Sequence, residues 1–145
     1  MSSITKTEFY CDGGLMDIAD IDSATSEATG YPKEHLLDGS LITGWKGTTA
    51  AEQEIVIDLN QTPAYSIYGF GYFVRNYMTN HDVGANGWWE LYTSTDGATW
   101  GTYICFGHLT AAGVPCQIYK FADTEHTLVK RYLLFKFMPV SPDIS

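Results

Sequence analysis

Positive charge is scarce in this chain. Eight Lys and Arg stand against seventeen Asp and Glu across 145 residues, a formal net charge of -9 at pH 7, with a sequence pI near 4.6. A field of that sign repels phosphate backbones and anionic headgroups, which argues against nucleic acid and against an anionic membrane as partners. Cysteine is scarce as well. Cys11, Cys105 and Cys116 form none of the short pairs that zinc sites use, and an odd count cannot close into a complete disulfide set. Buried thiols satisfy that count, and so does a bridge from Cys105 to Cys116 across a hairpin. No apolar run approaches the roughly 20 residues that span a bilayer, and Met1 to Lys6 is not a secretory leader. Signatures of catalysis are missing too: there is no Gly-x-Ser-x-Gly, no His-Glu-x-x-His and no glycine-rich phosphate loop. Cys105 and His108, three apart on an extended segment, are a poor thiol and base because such positions need not converge. A non-catalytic protein is expected.

Aromatic residues and glycine are plentiful. Ten Tyr, seven Phe, four Trp and fourteen Gly favour strands joined by tight turns, so the expected class is all-β. A chain of this length buries roughly two-thirds of its unfolded surface in one core, so residues 1–145 are expected to form a single domain. Glu54 to Leu59 alternates polar and apolar with β-branched residues and ends at Asn60-Gln61-Thr62-Pro63, a strand with its exit turn. Ser66 to Arg75 and Trp88 to Ser94 read as further strands, the latter closing on Thr95-Asp96-Gly97, a tight-turn signal. Trp100 to Phe106, Gln117 to Phe121 and Arg131 to Phe137 complete a set of six, with Asp123 to His126 as a polar connection. Pro32 to Leu37 is the one helical candidate, stopped by Asp38-Gly39. Short strands at even spacing describe a sandwich, and the long stretches 76–87 and 107–116 are where such a scaffold carries function.

Several segments share one register. The chain reads Ala24-Thr25-Ser26-Glu27, then Leu36-Leu37-Asp38-Gly39-Ser40, Thr43-Gly44-Trp45, Ile55 to Leu59, Phe73-Val74-Arg75, Tyr92 to Gly97 with Trp100, and Lys130 to Leu133. Over roughly residues 16 to 138 this resembles the discoidin domain, also called the coagulation-factor C-type domain, and within it the family-32 carbohydrate-binding modules. The resemblance implies a jelly-roll β-sandwich of the galactose-binding-domain-like type, with Trp45, Trp89 and Trp100 in the core. It further implies a carbohydrate-binding module anchoring a larger extracellular or cell-surface protein to a glycan or polysaccharide. An adhesion-type domain that binds a protein partner without sugar specificity is the alternative. The chain stops soon after an apolar run, as expected of a segment excised from a longer exported protein.

Asp38 and Thr43 offer hard oxygen ligands on a loop that Gly39 lets bend sharply, as calcium requires. Carried over from the family, a structural calcium is held by the carbonyls of His35 and Ser40, the Asp38 carboxylate, and the Thr43 carbonyl and hydroxyl. The Ala-Glu pair with which the family completes this site in its last strand has no counterpart after Arg131.

A sugar needs an aromatic plane for its C–H face and forked polar groups for its hydroxyls, a task that suits arginine. Arg75, which matches a ligand-contacting Arg of related modules, fits this role or that of a salt bridge at the rim. Tyr77 and His81 on the loop beyond it, and Tyr31 and Lys46 on loops near the Asp38 turn, are further candidates. Period-two alternation sets Trp89 and Leu91 on one face and Trp88 and Glu90 on the other, with Trp89 expected in the core and Trp88 exposed for ligand. After Trp45 the chain reads Lys46-Gly47-Thr48-Thr49, where galactose-binding members carry a His and a nearby aromatic, so a galactose preference is not implied.

Overall fold

A computed structural model describes residues 3–11, 14–16, 19–37, 45–46, 48, 52–60, 67–74, 88–108 and 117–138. These form ten strands: β1 (Ser3–Cys11), β2 (Gly14–Met16), β3 (Asp20–Ala24), β4 (Trp45–Lys46), β5 (Gln53–Asp58), β6 (Ile67–Val74), β7 (Trp88–Ser94), β8 (Cys105–His108), β9 (Gln117–Lys120) and β10 (Tyr132–Met138). A 3₁₀ turn spans Lys33–Leu37, and a four-residue helix, α1, spans Asp123–His126.

Two five-stranded antiparallel sheets face each other. One runs β2-β1-β6-β9 with β4 also paired to β1; the other runs β3-β5-β10-β7-β8. The core lies between them. Ile55 and Ile57 of β5, Trp89 and Leu91 of β7, and Leu133, Phe135 and Phe137 of β10 meet Ile67 and Phe70 of β6, all at most 6% exposed. Phe70 sits at its centre, edge-on to Trp89 at 5.1 Å and to Phe135 at 4.9 Å between centroids. Edge-to-face contacts of this kind match the positive rim of one ring to the negative face of another.

The strict in-out burial of β5 follows from its alternating sequence. β10 reads instead as Tyr-Leu-Leu-Phe-Lys-Phe-Met because it is the middle strand of its sheet, with β5 on one side and β7 on the other. Leu134 points away from the core yet is 4% exposed, since its register partners Val56 and Tyr92 flank it on the outer face. The turn after β7 is tied by Asp96, whose carboxylate accepts from the backbone N–H groups of Ala98 and Thr99 and from the Ser94 hydroxyl. Those donors hold its carboxyl well below the usual range. Gly97 supplies the left-handed φ of 74° that the turn demands.

Several expectations change. β1, β2, β3 and β4 are strands the alternation pattern did not single out. The segment expected to be extended from Trp100 becomes a strand only at Cys105, and Trp100 is half-buried rather than in the core. The helical candidate is a 3₁₀ turn, and the polar connection at Asp123 to His126 is helical, its start tied by the Glu125 carboxylate accepting from the Ala122 N–H at 2.8 Å. Cys105 is a free thiol, buried and with its pKa pushed up to about 12 by that burial.

Candidate functional site

One end of the sandwich is fixed by Trp45. Its indole is fully buried, donates from Nε1 to the Ser26 carbonyl at 2.9 Å and lies 6.0 Å from the Phe137 ring. Ser26 in turn donates its hydroxyl to Gln53 Oε1 at 2.6 Å and accepts from the Thr48 N–H at 3.0 Å. Phe137 is the register partner of both Gln53 and Trp89. The indole therefore ties β4 of one sheet to the end of β10 of the other through Phe137 and, through Ser26, to the start of β5.

The register brings candidate ligand residues to that same end. In β1, Ser3 pairs with Lys46 and Ile4 pairs with both Trp45 and Val74, so Lys46 and the exit of β6 flank the first residues of β1. Arg75 follows Val74 directly. Trp88 opens β7 next to Trp89, whose ring meets Phe70 and Tyr119 edge-on at 5.1 Å. Tyr31 and His35, both half-buried, lie on the segment after Ser26, whose 3₁₀ turn packs on β1, β3 and β4. Within that segment the Tyr31 N–H donates to the Ala28 carbonyl, and the Lys33 N–H donates to the Glu27 carboxylate at 2.5 Å. Lys46 belongs to a strand rather than to the loop expected for it, because β1 supplies a backbone partner. Arg75, Tyr77 and His81, and the calcium candidates Asp38, Ser40 and Thr43, lie outside the described residues.

Alternation in β7 holds as expected for Trp89 and Leu91, at 2% and 0% exposed. Trp89 is seated on Gly107 of β8, its register partner: a Cβ there would meet the indole at 2.5 Å, so only glycine permits the approach. Trp88 departs from expectation. It is half-buried rather than exposed because Phe106 of β8 stands beside it on the outer face, 6.2 Å between centroids. Glu90, which the alternation sets on the same face as Trp88, is 7% exposed.

Around Trp88 and Glu90 the outer face holds groups that the sequence reading did not assemble. Phe106 meets Tyr103 edge-on at 5.6 Å, and Tyr103 meets Tyr92 at 6.2 Å, so a line of aromatic rings runs from Trp88 to Tyr92. The Tyr92 hydroxyl donates to Glu90 Oε1 at 2.9 Å, and Lys136 Nζ lies 5.1 Å from the Tyr92 ring centroid. Burial first, and then the Glu90 carboxylate, keep the Tyr92 phenol protonated well above the usual range. A signal for this cluster exists in the polar-aromatic alternation of Trp88-Trp89-Glu90-Leu91-Tyr92, but the partners on β8 and β10 emerge only from strand pairing.

Nothing among the described residues suggests a nucleophile. Cys105 is buried, and that burial pushes its pKa up to about 12, which disfavours the thiolate a nucleophile needs. Among the described residues no group of three or more His, Cys, Asp or Glu is arranged to hold a metal, and no helix is long and apolar enough to cross a membrane.

Comparison with known proteins agrees with this architecture. Among solved structures, the third family-32 carbohydrate-binding module of a family 31 glycoside hydrolase from Clostridium perfringens superposes with a TM-score of 0.61. It is 22% identical, over 83% of this chain and 78% of that one. The lectin domain of lectinolysin, solved in complex with Lewis B antigen, superposes with a TM-score of 0.58 at 14% identity, over 85% and 82% of the two chains. No curated protein matches the sequence closely enough to count as a relative. The model of the F5/8 type C domain matches residues 21–136. The chain belongs to the F5/8 type C, or discoidin, domain family, with its galactose-binding-domain-like β-sandwich.

Proposed function

We propose that the domain is a non-catalytic carbohydrate-binding module, acting at the end of the sandwich that Trp45 clamps. The observation that carries the reading is the register, which sets Lys46 and the exit of β6 beside the first residues of β1, while half-buried Trp88 opens β7 one position before Trp89, the register partner of Phe137. An indole face and nearby cationic donors are what a sugar ring with its hydroxyl rim requires. Two fold neighbours, a carbohydrate-binding module and a lectin domain solved with a glycan antigen, support the same direction. In this reading Arg75, Tyr77 and His81 complete the contact set, and the module holds a larger extracellular protein on its glycan. A shallow site at a sandwich rim binds weakly, and repeated modules recover strength through effective concentration. A glycan array probed with the intact chain tests this. Binding to a defined group of sugars is expected, whereas silence on every sugar with capture of a protein partner would favour an adhesion role.

A structural calcium belongs to the same proposal, held by the carbonyls of His35 and Ser40, the Asp38 carboxylate and Thr43. Of these, His35 lies in the 3₁₀ turn, its N–H donating to the Pro32 carbonyl at 3.1 Å. Calcium restored after chelation is expected to raise the melting temperature, because an ion that binds only the folded state stabilises it. An unchanged melting curve would count against the site.

A further inference from the structure

The outer face of the β3-β5-β10-β7-β8 sheet carries a charged group that the residues packed around it take largely out of water. Glu90 is 7% exposed, and its one hydrogen bond among the described residues is the Tyr92 hydroxyl on Oε1. A carboxylate taken from water normally gathers several donors, since burying one without them is costly. Lys136 is its cross-strand partner on β10, yet the ammonium sits over the Tyr92 ring rather than on the carboxylate. Trp88, Phe106 and Tyr103 wall the place on the β8 side.

An acceptor with an oxygen to spare, a donor beside it and a line of ring edges and faces are complementary to a polyhydroxylated chain. Its hydroxyls both donate, to Glu90, and accept, from Lys136, while its C–H faces pack on the rings. The charge narrows the class. Glu54 on β5 and Glu90 on β7 are the register partners of Lys136 on either side, so two carboxylates flank its ammonium. An acidic sugar would meet repulsion there. We propose that the glycan surface continues from Trp88 down this outer face, taking a run of neutral sugar units, with Glu90 and Phe106 as contact residues away from the sandwich end. This rests on the carbohydrate reading above and adds to it the length and charge of the ligand.

Titration calorimetry on the intact chain tests it, with cellohexaose, xylohexaose and mannohexaose, their monosaccharides, and hexagalacturonate as probes. A neutral hexasaccharide is expected to bind about tenfold or more tighter than its monosaccharide, with hexagalacturonate inert, the factor matching one hydrogen bond to a charged group. Glu90→Gln, which keeps the shape and the Tyr92 partner, should cost about tenfold for the hexasaccharide, and Phe106→Leu about fivefold through loss of the ring face. Monosaccharide binding should not change in Glu90→Gln. Lys136→Met provides a third variant should either of the first two melt early. Hexasaccharide and monosaccharide binding of equal strength, untouched by these variants, would overturn the extension and leave the rim site standing. No sugar binding at all, or a protein partner in its place, would overturn both.

Discussion

Replacing Gly107 with alanine tests how the two Trp residues of β7 are sorted. A Cβ at this position would stand 2.5, 2.6 and 2.8 Å from three atoms of the Trp89 indole, all shorter than any ordinary carbon contact. The indole cannot retreat easily, because Phe70 and Tyr119 meet it at 5.1 Å and Phe135 at 6.2 Å. Forcing a methyl group into such a packed place costs about 1–3 kcal/mol. At about 3 °C per kcal/mol for a domain of this size, the melting temperature of Gly107→Ala should fall by about 3–9 °C. Gly101→Ala is the matched control, since nothing lies within 4 Å of its Cβ position and its φ lies outside the left-handed region. It should melt within about 1 °C of the parent or slightly higher, through reduced entropy of the unfolded chain. Differential scanning fluorimetry of the three proteins decides the matter. If Gly107→Ala melts like Gly101→Ala, Trp89 is not seated on β8, and the assignment of Trp88 to the outer face loses its basis.

Acid should weaken the fold partly through Asp58. Arg131 donates to its two oxygens at 2.8 and 2.9 Å and holds its carboxyl below the ordinary value, so this stabilisation is complete above the unfolded-state pKa and is lost as pH falls through the depressed folded one. Asp58→Asn should therefore lower the melting temperature at pH 7 and flatten its decline below about pH 4; an equally steep decline in the variant would contradict the assignment. Cys105, with a pKa pushed up to about 12, should resist iodoacetamide at pH 8 in the folded protein and react once urea unfolds it. Rapid labelling of Cys105 in the native state, located by peptide mass, would show that the thiol is not buried as described.

What the sequence disclosed follows the strength of its alternation. β5 was legible because one face lies in the core, so polar and apolar residues had to alternate, and β7 because its Trp, Tyr and Thr residues run up to the turn at Thr95-Asp96-Gly97. β1 was not, since Ile4-Thr5-Lys6-Thr7-Glu8 mixes β-branched and charged residues near the terminus, and its place is set by pairing with β6 across the chain. β4 has two residues and exists only because β1 pairs with it. For the site, alternation sorted Trp88 from Trp89 correctly, but the burial of Trp88 depends on Phe106, a neighbour brought in by the β7-β8 pairing. Alternation set Glu90 on the face opposite Trp89 and said nothing of its burial. Its burial arises from the residues packed around it on the outer face, a consequence of three strands meeting that no single segment encodes.

The most direct test of the central claim is a glycan array probed with the wild-type chain and with Trp88→Ala side by side, each checked for its melting temperature. The wild type should select a group of sugars, and Trp88→Ala should lose that binding while remaining folded. Undiminished sugar binding by a folded Trp88→Ala protein would contradict the account.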